Sequence, residues 1–302
     1  MRSLIVLLGV LFSGVGTAQE LRVRDIEPVG ILSSAGAGAL AMPTDVAIGA
    51  AGRLYVVDGG NNRIVIYSPD GDYIKSVGRE GKGNLEFAGP IGIGTDTTGH
   101  VYVADSGNHR IQVLDTDGGF VRAIGLVDGQ VSVRPVDVAV SEISGDLFVT
   151  CNNTHKVMKL SSEGKVLKTW GGEGTTPDRF RYPATIAVRQ GKVAVVDVLN
   201  TRVQVFDEKG DLQYQLGEWG VLPGQLFRPK GVAFDGFGNF YVSDSYTEVV
   251  QVFDSGYEFK YVLGNNGVPR RFVTPVGLAV SQDERIYVTE MLGNRVSEFA
   301  LR

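Results

Sequence analysis

Acidic residues return along this chain at a regular beat, and most are followed five positions later by a base. Asp58, Asp105, Asp197, Asp244 and Glu290 are the acids, and Arg63, Arg110, Arg202 and Arg295 follow four of them. A carboxylate beside a guanidinium can hold an ion or move a proton. A feature repeated in nearly every unit fits a fold requirement better than a unique site. The expectation is therefore a structural ring, in which each carboxylate accepts turn N–H groups and pairs with an arginine. Two departures stand out: Cys151 occupies an acid position, and Thr247, Glu248 and Val249 replace the usual Asn-x-Arg.

A sparser polar set is the better candidate for chemistry. Asp45, Asp137 and Thr185 each lie two residues after a proline, where the other units carry Gly92, Gly231 and Gly277. Alternate residues of a strand share a face, so these three should line the mouth of a central channel and form the small-ligand candidate. No cofactor is expected, and calcium at this mouth is the one candidate to weigh against that. The carboxylates are expected to stand about 10 Å apart, too far to share a bare cation but suited to a hydrated ion or a cationic group. The competing reading is that each carboxylate accepts N–H groups from neighbouring loops entering the ring. His100, His109 and His155 are too few and too scattered to assemble three zinc ligands, and Cys151 with His155 four residues on makes no catalytic pair.

The elements that must position these groups are short strands in repeating units. Prolines 43, 90, 135, 183, 229 and 275 open them, about 45 residues apart. After each comes a short strand, then an apolar strand such as LYVVD, VYVAD or FYVSD, then a third such as RIVIYS or RVQVFD. The turns are rich in Gly, Asp and Asn. This period with four strands per unit predicts an all-β, six-bladed β-propeller with four antiparallel strands per blade. Residues 21–31 resemble the fourth strands, while the last unit ends after its third. They should close the ring by completing the sixth blade, burying Leu21, Val23 and Ile26. Phe87, Phe180, Leu226 and Phe272 should plug blade junctions, Trp170 should be core, and the turn DTDGG at 115–119 lacks the final acid of a calcium loop.

The unit resembles the NHL repeat. Pro90, Gly92, Tyr102, Asp105, Asn108, Arg110 and Gln112 match that family's pattern, and the likeness runs from 43 to 302. Membership implies the propeller fold, but the fold hosts lyases, lactonases, sensors and protein or RNA binders alike. The leading expectation is a non-catalytic interaction module, with a metal-dependent lyase or lactonase-like hydrolase as the alternative. Its partner would be a protein, for example an extracytoplasmic redox or envelope protein, with a small ligand as a further candidate. Contact is expected on the loop face through Trp219, Tyr246, Arg181, Arg228 and Arg271, since aromatic and arginine side chains supply interface hot spots.

Residues 1–18 read as a signal peptide: Arg2, the apolar run LIVLLGVLF, and Gly16-Thr17-Ala18 before Gln19. The run is too short to span a membrane. Residues 19–302 then form one domain, secreted or periplasmic. A formal net charge of −5 argues against nucleic acid as a partner.

Overall fold

The computed structural model describes residues 19–36 and 38–302. The expected signal segment, residues 1–18, lies outside the described residues.

Each repeat folds as an antiparallel meander. The first comprises Pro43–Ile48, Leu54–Asp58, Arg63–Tyr67 and Tyr73–Val77. The prolines sit where the ladder can spare a donor. Pro43, Pro90, Pro135, Pro183, Pro229 and Pro275 pair with Asp58, Asp105, Cys151, Asp197, Asp244 and Glu290, the ends of the second strands. Proline has no N–H to give and is tolerated as the first strand residue. A register shift follows every one of them, ahead of Asp45, Ile93, Asp137, Ile186, Gly231 and Leu278. Such a bulge re-aims the side chains beyond it.

The fold is all-β and propeller-like. Repeats one to four stand as separate four-stranded sheets, while the last two are joined in a nine-stranded sheet. The join is the N-terminal strand, Val23–Leu32. Its front half pairs in parallel with repeat five, Val23 opposite Val262 and Asp25 opposite Gly264. Its rear half pairs antiparallel with repeat six, Ile26 opposite Leu301 and Leu32 opposite Val296. The strand thus reaches two repeats rather than one. Leu21, expected to be buried, is 48% exposed because it precedes the strand, Val23 is only half-buried, and Leu32 is buried with Ile26 instead.

Apolar residues of facing sheets form a core at each junction. Val57 and Ile64 meet Val101 and Val103 between repeats one and two, and Phe148 and Trp170 meet Val195 and Phe206 between repeats three and four. Val46, Val56 and Tyr67 meet Tyr287 and Val296 between repeats one and six. Phe87, Phe180, Leu226 and Phe272 are buried within these junctions. The first strands neighbour one another in chain order, and the sixth neighbours the first. No helix among the described residues is long and apolar enough to cross a membrane.

Candidate functional site

The recurring acids are structural. Asp105 accepts from the Ala88 N–H at 2.8 Å, Asn108 at 2.9 Å and Arg110 at 2.8 Å. Asp197 does the same with the Arg181 N–H, Asn200 and Arg202 at 2.7–2.8 Å. Each acid therefore ties its own third strand to the loop entering its own repeat. Repeat three lacks this tie. Cys151 is buried, which pushes its thiol pKa up, and Lys156 pairs instead with Asp128 at 2.6 Å.

Repeat five solves the same problem without an arginine. Asp244 accepts four backbone N–H groups, from Phe227 and Arg228 at 2.6 and 2.9 Å and from Tyr246 and Thr247 at 3.0 Å each. One buried carboxylate thus fixes two loops, and their aromatic rings stack. Phe227 and Tyr246 lie 3.9 Å apart between centroids, and Trp219 stands 5.8 Å from Phe227. Trp219 is 70% exposed and Tyr246 56%. The structure therefore brings together Trp219, Arg228 and Tyr246. Arg271 joins them, donating to the Thr247 carbonyl and lining a groove of about 450 Å³ with Tyr246 and Val221. Arg181 is exposed on the same face but belongs to the loop entering repeat four.

The axial polar set forms a belt around the axis, with its two carboxylates buried and Thr185 half-buried. Asp45 and Asp137 are 5% and 4% exposed. Asp45 accepts from the Val46 N–H at 2.9 Å and from the Ile93 N–H of the next repeat at 3.1 Å. Asp137 accepts from Val138 at 2.7 Å and from Ile186 of the next repeat at 2.9 Å. Thr185 accepts from Val232 at 3.0 Å. Glycines make the room: a Cβ on Gly92 would stand 2.2 Å from Asp137 Oδ1, and one on Gly277 2.2 Å from Asp45 Oδ1. Loss of water raises both acids, Asp45 further because of the Asp137 charge, and Asp137 reaches about 7.

The belt separates two axial cups. One, of about 210 Å³, is lined by Asp45, Asp137 and Thr185 themselves together with the far ends of the first strands, including Ile48, Val140 and Phe234. The other opens on the loop face, measures about 530 Å³, and is floored by the residues that follow the prolines: Thr44, Ile91, Val136, Ala184, Lys230 and Val276. Five are apolar or hydroxylic and one is a lysine. Sequence reasoning passed over Lys230 because it compared the second position after each proline and not the first. Desolvation lowers its pKa, and the neighbouring Arg228 lowers it further.

The histidines lie apart. His100 holds Asp96 and Thr98 in an outer turn, His109 contacts the Val133 carbonyl, and His155 accepts from the Tyr182 N–H. Among the described residues, no three His, Cys, Asp or Glu side chains gather as a metal site.

Comparison with known proteins supports this architecture. Residues 40–67 and 87–114 match the family model of the NHL repeat. The chain is 31% identical over 182 residues to peptidyl-glycine alpha-amidating monooxygenase B of Xenopus laevis, covering 55% of this chain and 20% of that protein. It is 39% identical over 90 residues to human NHL repeat-containing protein 3, covering 28% of this chain and 25% of that protein. The match thus spans a quarter or less of these relatives. A virginiamycin B lyase structure from Staphylococcus aureus shares the fold, with a TM-score of 0.64 at 14% identity over 92% of this chain and 94% of that one. Two matched repeats, with the same meander recurring down the rest of the chain, identify it as a member of the NHL-repeat family.

Proposed function

We propose that this chain is a six-bladed propeller that serves as a non-catalytic interaction module outside the cytoplasm, secreted or periplasmic, binding a protein on its loop face. The carrying observation is the aromatic row Trp219, Phe227 and Tyr246, with Trp219 and Tyr246 exposed around a half-buried Phe227, the loops of Phe227 and Tyr246 held by the buried Asp244, and Arg228 and Arg271 alongside. Aromatic and arginine anchors on a preorganised backbone suit a protein interface. The count of six blades rests on the ring of first strands and the core at each junction.

The test is capture by the tagged 19–302 chain from an extracytoplasmic extract, then calorimetry with the purified partner. W219A/R228A should bind at least ten-fold more weakly, as loss of hot-spot side chains does. F237A, an equally exposed aromatic on the opposite face, should bind as wild type does. Equal affinity for W219A/R228A moves the interface elsewhere.

A second reading, a metal-dependent lyase or lactonase-like hydrolase, draws on the amidating and lyase relatives and on the paired axial carboxylates. Backbone N–H donors already point at those carboxylates from both sides, which opposes a cation between them. Calcium and magnesium should therefore leave the melting temperature unmoved. A calcium-dependent rise that vanishes in D45N/D137N would favour the metal reading, by linkage of binding to stability.

A further inference from the structure

We propose that the axial cup on the loop face binds a small organic anion, an apolar body carrying one carboxylate, with Lys230 as its anchor. This goes beyond protein binding on the same face and is tested without a partner.

The floor of the cup is a series in which one member differs. Thr44, Ile91, Val136, Ala184 and Val276 present methyl or methylene surface, and Lys230 alone carries a charge. The volume of about 530 Å³ is within the range of small-molecule sites. Tyr182 and Leu199 extend the apolar wall to the rim, and both are exposed.

Most polar groups around the floor are already engaged, the half-buried Asn152 carboxamide apart, and this bears on the sign of the ligand. Four backbone carbonyls there accept side-chain hydroxyls: Ile91 from Thr44 at 2.6 Å, Ala184 from Thr150 at 2.6 Å, Lys230 from Thr185 at 2.8 Å and Val276 from Ser243 at 2.7 Å. Asp244, the acid whose charge Lys230 feels, is fully buried and accepts four amides. Among the described residues, no carboxylate lies within ion-pair distance of the Lys230 ammonium. Arg228 adds a second positive charge. A cationic ligand would meet the Lys230 charge at the wall and few open acceptors. An anion would give a partly desolvated ammonium the partner it lacks. A phosphate needs several converging donors, whereas one ammonium in an apolar wall suits a single carboxylate with an apolar tail.

The experiment titrates 3-phenylpropionate and the neutral 3-phenylpropan-1-ol into the purified 19–302 chain by calorimetry. Wild type should bind the acid. K230M should bind it at least ten-fold more weakly and the alcohol equally well, and K230R should recover part of the loss. Methionine joins an apolar series, so the fold should persist, and circular dichroism checks it. On wild type alone, 3-phenylpropionate should slow trinitrobenzenesulfonate labelling of Lys230, read by peptide mass mapping, and leave exposed Lys82 unaffected. Absence of binding at millimolar acid, equal affinity in K230M, or labelling of Lys230 unchanged by the acid each overturns the proposal.

Discussion

Asp45 and Asp137 are acids whose protonation the fold controls. Burial raises both above the ordinary carboxylate range, Asp45 with help from the Asp137 charge, and their amide hydrogen bonds offset this only in part. In the unfolded chain each titrates near 3.9. Between about pH 4 and about pH 7, where the folded Asp137 titrates, the folded chain holds more protons than the unfolded one. The Asp137 contribution to stability is therefore complete below about pH 4 and is lost as pH rises through about 7, and the raised Asp45 acts in the same direction. D137N removes this dependence. Its amide NH₂ would face a backbone N–H, leaving a donor unsatisfied at a cost of about 1–3 kcal/mol at every pH. The melting temperature of D137N should lie below wild type at pH 4.5, and the gap should narrow by pH 7.5. Parallel curves for the two proteins would show that Asp137 does not titrate differently in the folded state.

Among elements, the closing strand shows how far the sequence could be read. The likeness of LRVRDIEPVGI to the fourth strands placed it beside the third strand of repeat six, where Ile26 to Leu32 pair. That its front half also reaches Phe259–Asn265 of repeat five depends on how two neighbouring sheets meet at the seam, which no local pattern encodes. Repeat five carries the same lesson. Thr247, Glu248 and Val249 read as a departure from the Asn-x-Arg pattern, but Asp244 is satisfied by backbone N–H groups, and a residue pattern cannot show where those point. Lys230 was visible in the sequence, but its isolation depends on which carbonyls and acids are already bonded. Deleting residues 19–32 strips the pairing from both neighbours and uncovers Ile26 and Leu32 contacts worth roughly 1.5–3 kcal/mol each, an upper estimate. It also exposes unpaired strand edges that invite association. The truncated chain should melt well below wild type and elute as oligomers on size exclusion with light scattering. A monomer with an unchanged transition would remove the strand from any closing role.

At the scale of the whole molecule, the junction cores determine how the protein unfolds. In an open stack, each repeat depends only on its neighbours, and one end can melt while the other stays folded. Here repeat six packs on repeat one, so no repeat is terminal. Damage at one junction should then lower the stability of all. Trp170 reports on the junction between repeats three and four, and in a W219F background it is the only tryptophan left. Ile64 lies at the junction of repeats one and two and Ile286 at that of five and six, both fully buried. I64V and I286V each remove one buried methyl group and should cost about 0.5–1.5 kcal/mol. In a closed ring, urea unfolding followed by Trp170 fluorescence and by far-ultraviolet circular dichroism should shift together, with the same new midpoint and an unchanged slope. In a segmented chain, these distant changes would leave the Trp170 midpoint where it was while the dichroism curve broadened. Coincident curves in both variants would mean that the ring unfolds as one cooperative unit, the rigid frame that a preorganised loop face requires.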